Sequence, residues 1–545
     1  MKSNKLIRWF VIAIIISLIT GIIIGVFVSG RSFGRRLFLT PHNKINVILD
    51  IINEDYVDAV NIKEITENAI RNIIRELDPH STYISDRDVP GMNEEIDGHF
   101  GGIGVDYFLY NDTLVIMNLT YGGPSSQAGL LPGDRIVTVN QSPFTGPDIT
   151  EEKITGTMRG SIGSSITLGI LRNPSDSITE YTIRRDAILI PTVSAAYEVA
   201  KDIGFIKIQD KFTHTTYDEF VQAMTQLVSQ GCKSFIVDLR ANSGGAYEAA
   251  IKIINEFLPA NRMIVYSEGK SFPRSEAISD GSGNLLDNPL VILIDELSAS
   301  ASEIVAGAIQ DNDRGLIIGR RSFGKGLVQK PIELSDGSAV RLTVARYYTL
   351  SGRNIQRKYE LGKSETYNRE WINQFNNGYA FCKDSIKIDT IQVYKTLHGR
   401  TVYGNNGILP DIFVSMDTAH LSNYYIQLEN KNIFNRFAFE YSDKNRMMLS
   451  QFKDFPSMLE YLKTRISLSD IVRFAEENGV KRRTNQIYRS SSQIMAATYA
   501  CIIGNFFGHD AFYQVYLTHD PMIKCAIQAI RNGEATPEAV AGRQY

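Results

Sequence analysis

Four short apolar runs constrain this chain more than any other feature. DIGFIKIQD, SFIVDLR, LVILIDE and GLIIGR all lie between residues 202 and 320. They are too short for ordinary helices and rich in β-branched residues, so each predicts a buried strand. Between them fall YDEFVQAMTQLVSQ, AYEAAIKIINEFL and ASEIVAGAIQD, which carry helical periodicity. This alternation predicts an α/β unit over residues 187–360, with at least a partly parallel sheet. Chemistry in such sheets gathers at the carboxyl ends of strands. DLRANSGG (238–245) and DELSASAS (295–302) both fall there.

The flanks read differently. Residues 9–30 carry no charge, Lys2, Lys5 and Arg8 precede them, and Arg31, Arg35 and Arg36 follow. That pattern predicts an uncleaved transmembrane anchor within 1–36, with a cleaved signal peptide as the rival. Residues 44–97 read as a helical region, with NVILDIINEDY and KEITENAIRNIIREL before the break at Asp78-Pro79. Residues 98–186 hold several short strand candidates and one short helix, a β-rich module. Residues 361–402 are polar and aromatic and read as an insertion. Strand character returns within 403–420, at GNNGILPDIFV, and 421–545 is mixed or helical. Within it, SQIMAATYACIIGNFFG is apolar but short and interrupted, so a core helix is expected rather than a second membrane span.

Composition excludes several functions. Net charge is -3 with no long basic block, so no nucleic-acid partner is expected. The four cysteines form no CxxC pair and the eight histidines no HExxH, so no metal site and no cofactor is expected.

The crowded serines of ELSASASEIVAG pose the chemical question. Ser300 falls in the turn between a buried strand and a helix, where unpaired N–H groups can stabilise an oxyanion. Small neighbours leave room for a substrate backbone. The structural alternative is ordinary helix capping by Ser300 or Ser302, with Glu303 in the first helical turn. A nucleophile needs a base. No histidine lies between His214 and His398, but RSFGKGLVQ (321–329) supplies Lys325. Lysine's reference pKa is too high for a base, and desolvation lowers it. Gln329 can orient the amine without adding the negative charge that would keep it protonated. A set of Ser300, Lys325 and Gln329 makes chemical sense as an activated nucleophile, while Lys325 in a Gly-rich loop, taken alone, reads more often as a surface or phosphate-binding lysine. The stretch lacks the full GxxxxGK[ST] pattern of a phosphate-binding loop.

Residues 98–186 resemble a PDZ domain of the processing-protease type, on GGIGV, SSQAGLLPGDRIVTVN and RGSIGSSITLGILR. Such domains add a peptide to an edge strand and receive its carboxylate in a backbone nest. The resemblance makes Gly101, Gly102, Ile103 and Gly104 the candidate carboxylate loop. Arg159 is a candidate carboxylate contact, with a surface salt bridge as the alternative. More widely, residues 44–415 resemble the carboxyl-terminal processing (tail-specific) proteases. SASASEIVAGAIQD, GRRSFGKGLVQ, DLRANSGG and YYTLSGRNIQ carry the likeness. It implies a crotonase-like/ClpP-like α/β core with an inserted PDZ domain. It also implies that Ser300 is the nucleophile, Lys325 the general base and Gln329 its positioner. The oxyanion hole would use Ala301 with Gly244 or Gly245. The expected activity is serine endopeptidase cleavage near the C-termini of substrates with free apolar tails. The catalytic region is expected to face the periplasm from a single-pass inner-membrane anchor, with an adaptor or a homo-oligomer as further partners. The competing function is a non-catalytic, membrane-anchored PDZ scaffold of the cell envelope.

Overall fold

The computed structural model describes residues 3–28, 44–172, 177–382, 392–416 and 420–543. The chain divides into two units, Met1–Asp78 and Pro79–Tyr545. The first unit contains helices Ser3–Val28, Lys44–Asp55 and Ile62–Arg75. Asn61 starts the last of these, its side chain accepting from the Glu64 N–H at 3.3 Å.

The expected membrane anchor is corrected here. Among the described residues no helix is long and apolar enough to cross a membrane. The single-pass topology, the membrane as a partner and the inner-membrane placement expected from it fall with the anchor.

The second unit is organised around a six-stranded sheet. Its order is Val193–Ala200, Ile203–Ile208, Ser234–Asp238, Leu290–Ile294, Leu316–Gly319 and Ile412–Phe413. The first pair is antiparallel and all later pairs are parallel. Both faces are buried, which is why these strands read as continuous apolar runs. Phe235, Val237, Leu290, Ile292 and Ile294 face a core shared with helices Thr216–Ser229, Tyr247–Asn255 and Ala301–Asp311. Ile236, Val291 and Leu293 point the other way, onto Met522, Ile523, Ala526 and Ile530 of helix Pro521–Arg531. Each fully buried aliphatic side chain contributes about 1.5–3 kcal/mol, so this late helix is an integral part of the sheet's core.

A second, antiparallel sheet stands beside the first. Ala339–Tyr348 is its long central strand, pairing with Thr82–Ile84, Met263–Glu268 and Leu327–Glu333. This arrangement corrects the crotonase-like/ClpP-like expectation. The core is an α/β fold in which Gln329 lies on the second sheet and Lys325 in the loop just before it, while Ser300 follows a strand of the first.

Residues 98–186 contain a further sheet in the order Val105–Tyr110, Thr113–Leu119, Arg135–Val139, Ser165–Leu171 and Ile178–Arg184. Val105–Tyr110 is an edge strand, and helix Glu151–Met158 belongs to the same module. Beyond residue 420 the helices Asn423–Asn430 through Ser491–Tyr516 share one core. In the last of these, Ile494, Ala497, Ala500, Ile502 and Ile503 are buried. The stretch is a core helix, kinked at Gly508.

Candidate active site

The three serines of SASAS do three different things. Ser298 Oγ donates to Leu239 O at 2.8 Å, and Ser302 Oγ donates to Asn242 Oδ1 at 2.7 Å. Both are buried and tie this turn to the DLRANSGG loop. Ser300 is half-buried, and its hydroxyl donates to none of the described residues. Its backbone φ is +54°, a region that costs a non-glycine residue about 1–3 kcal/mol. Helix Ala301–Asp311 begins immediately after it.

Glu303 organises what surrounds this serine. Its carboxylate is fully buried and accepts four hydrogen bonds. One oxygen takes Ser300 N–H at 2.9 Å and Lys325 N–H at 2.8 Å; the other takes Ser322 Oγ at 2.5 Å and Gly324 N–H at 2.8 Å. Burial pushes its pKa up, while these four bonds pull it down. Because a single oxygen accepts from both, the Ser300 and Lys325 nitrogens lie within roughly 6 Å of each other. Two further ties close the gap. Phe323 N–H donates to Ser298 O at 3.0 Å, and the buried Tyr347 hydroxyl contacts both Ser300 O, at 3.1 Å, and Lys325 O.

Lys325 Nζ donates to Gln329 Oε1 at 2.8 Å. Gln329 Nε2 in turn donates to His80 O at 2.6 Å. A carbonyl can only accept, so the amide is held with its oxygen toward the amine. His80 sits against Tyr367, with ring centroids 5.4 Å apart. Glu303, Tyr347 and His80 were not singled out by the sequence. Glu303 reads as an ordinary first-turn acid, and the other two become relevant only through long-range folding.

The glycine loop lies directly against the serine. A Cβ on Gly244 would stand 2.6 Å from Ser300 Cβ and 2.9 Å from Ala301 N, and its φ is +96°, so only glycine fits there. Gly244 N–H is already donated to Asn242 Oδ1 at 3.0 Å. Among the described residues, Ala301 N–H and Gly245 N–H find no acceptor.

The same loop is braced by charge. Asp238 is fully buried and pairs with Arg240 at 2.7 Å and Lys207 at 3.6 Å. Arg240 also reaches Asp520 at 2.7 Å, while Asp520 caps helix Pro521–Arg531. Burial by itself would raise the Asp238 pKa, but Arg240 and Lys207 outweigh it and hold it at about 2. A depressed carboxyl stabilises the fold above its unfolded value near 4 and loses that contribution as pH falls towards 2. Acid titration of the wild type is expected to cost about 2 kcal/mol from this group between pH 4 and pH 2. Asp238→Asn should flatten that part of the profile, read from urea midpoints at each pH.

In the PDZ-like module, Gly101 and Gly102 pair with Ala187 and Asp186 in a short ladder. A Cβ on Gly101 would meet Gly160 O at 2.1 Å. Ile103 is buried, and Gly104 turns into the edge strand with φ +71°. Arg159 reaches Glu94 at 3.0 Å and covers the Phe100 ring at 4.0 Å, so the structure places it in a surface salt bridge.

Residues 202–366 match the model of peptidase family S41, residues 101–181 that of the PDZ domain, and residues 424–508 a family of unknown function, DUF8443. The carboxy-terminal-processing protease of Bartonella bacilliformis is 34% identical over 346 residues, covering 61% of this chain and 78% of that protein. The carboxy-terminal processing protease CtpA of Bacillus subtilis is 32% identical over 354 residues, covering 63% and 74%. Among solved structures, the photosystem II D1 C-terminal processing protease matches with 24% identity, a TM-score of 0.35, and coverage of 69% of this chain and 87% of that one. The family-model matches assign the fold as that of an S41 peptidase with a PDZ domain, in place of the crotonase-like/ClpP-like core. With the serine and lysine loops tied together by one buried carboxylate, and with relatives that share most of their length, the chain belongs to peptidase family S41, the carboxy-terminal-processing serine proteases.

Proposed function

We propose that this chain is a serine endopeptidase that cuts proteins near their C-termini, with Ser300 as nucleophile, Lys325 as general base and Gln329 as the positioner of the lysine. The observation that carries this reading is the shared Glu303 oxygen, which holds the backbones of Ser300 and Lys325 side by side. The PDZ domain receives the substrate tail at the Gly101–Gly104 turn and the adjoining edge strand. Neutral Lys325 takes the Ser300 proton as the Ser300 oxygen attacks a peptide carbonyl. Negative charge develops on the carbonyl oxygen, towards Ala301 N–H and Gly245 N–H. Gly244 holds the loop closed against the serine while its own N–H stays on Asn242. The protonated lysine then gives its proton to the leaving amine. A water, deprotonated by the same lysine, hydrolyses the acyl-enzyme.

The direct test incubates the full chain with a loosely folded protein ending in an apolar residue and reads product masses. Wild type is expected to release C-terminal fragments, and Ser300→Ala to release none. Equal cleavage by both would overturn the site.

The role of Gln329 has its own signature. Gln329→Glu places a carboxylate where the structure holds a neutral oxygen 2.8 Å from the amine. That carboxylate favours the ammonium form, so the ascending limb of the kcat/KM profile is expected to move up by about one pH unit or more. A purely structural role for Gln329 would lower activity equally at every pH.

A further inference from the structure

The helical region beyond residue 420 also touches the PDZ module. Phe439 of helix Ile433–Leu449 is buried against Phe108 and Tyr110 of the edge strand, with ring centroids 5.7 and 5.2 Å away. Asp443 of the same helix pairs with Arg135 at 2.9 Å. The docked helix therefore forms a second wall beside the edge strand. The first wall is helix Glu151–Met158, where Glu151 accepts from the Tyr107 hydroxyl at 3.0 Å. Between them lies a groove of about 460 Å³, lined by Tyr107 to Asn111, Glu151, Asn432 and Arg436.

This groove continues the candidate tail site. A peptide added antiparallel to Val105–Tyr110, with its carboxylate at the Gly101–Gly104 turn, runs towards Asn111. At about 3.3 Å per residue, the residue opposite the Leu109–Asn111 end stands about five positions before the C-terminus. There it meets the two side chains that the helical region contributes. Glu151 is already engaged by Tyr107. Glu440, one turn along from Arg436, lies by the Tyr110 hydroxyl, whose pKa is raised by burial and by that glutamate. Arg436 is half-buried, and among the described residues its guanidinium forms no ion pair or side-chain hydrogen bond. It is the cation left to meet a ligand, and a guanidinium fork matches a carboxylate.

We propose that the groove between the PDZ edge strand and helix Ile433–Leu449 is an additional substrate subsite, in which Arg436 binds an acidic side chain about five residues before the substrate's C-terminus. The inference rests on the tail-binding reading given above and adds a specificity determinant from outside both the PDZ domain and the protease core.

The test measures fluorescence anisotropy on the full chain carrying Ser300→Ala, so that no peptide is consumed. The probes are labelled decapeptides with an apolar C-terminal residue and a single Glu at the third to the seventh position from the end. Matching Gln peptides and a C-terminally amidated control complete the set. Affinity is expected to peak with Glu near the fifth position, about 3–10-fold above its Gln partner. Arg436→Gln should remove that difference while leaving binding of the Gln peptide unchanged, which also shows that the variant is folded. Arg436→Glu should reverse the preference in favour of the Gln peptide. A Glu advantage that is absent, or that survives Arg436→Gln, overturns this subsite alone, provided that amidation still weakens binding. If no peptide binds, or if amidation makes no difference, the tail-binding reading fails and the subsite fails with it.

Discussion

Ser300→Ala and Lys325→Ala are each expected to lower kcat/KM by about 10⁴-fold, with the fold intact. Ser300 donates to none of the described residues, and the Glu303 N–H that its side chain caps also donates to Ser300 O at 2.9 Å, so its loss leaves no backbone donor stranded. It also relieves nothing in the turn, because Ala inherits the same positive φ. Removing Lys325 leaves the serine hydroxyl at its ordinary, weakly nucleophilic pKa. The two losses are expected not to add. Residues acting as one unit give a double variant close to the worse single variant, and the residual rate reflects the oxyanion site alone. Kinetics on the two single variants and the double variant, with near-UV circular dichroism as the folding control, would show this. A double variant about 10⁸-fold down would mean that the two residues act in separate steps, against the site as drawn.

Glu303→Gln is the second large effect, expected at about 10²–10³-fold in kcat/KM. Volume is preserved, and hydrogen-bond polarity is not. Both carboxylate oxygens accept in the native structure, each from two donors. An amide offers one accepting oxygen and turns its NH₂ group toward the other pair. Ser322 can rotate its hydroxyl and accept, but the backbone N–H groups cannot. With the amide oxygen in the shared position Gly324 N–H is left unpaired, and with the amide turned over Ser300 N–H and Lys325 N–H both are, at a cost of about 1–3 kcal/mol for each buried N–H. A shift of about 1 Å between nucleophile and base is enough for a loss of about 10²-fold. Glu303→Asp keeps the polarity and shortens the reach, so it should recover part of the rate. Full activity in Glu303→Gln would show that the four-bonded carboxylate is not what aligns the site.

The α/β alternation was legible because a strand buried on both faces must be apolar throughout, and LVILI and SFIVD are. The SASAS and FGKG stretches stood out through small residues packed round one reactive side chain. What brings them together was not legible. Glu303 carries the ordinary signature of a helix's first turn, and His80 meets Gln329 across a gap of 249 residues. The second sheet was hidden for a similar reason. Leu327–Glu333 pairs with Ala339–Tyr348 as a local hairpin, but the strand at Thr82–Ile84 joins only through tertiary folding. The uncharged run at 9–30 shows the opposite failure. Hydropathy alone favoured a membrane span there, a reading that the described part of the helix does not support.

Helix Pro521–Arg531 has a temporal consequence. It covers a sheet whose first strands precede it by roughly 300 residues, and a ribosome adds about 5–20 residues per second. For about 15–60 seconds one face of the nascent sheet is therefore bare. Throughout that interval Arg240 lacks Asp520, so the glycine loop beside Ser300 is without one of its braces. The loop beside Ser300 is thus fully braced only once helix Pro521–Arg531 has been made, roughly 300 residues behind the strands it covers.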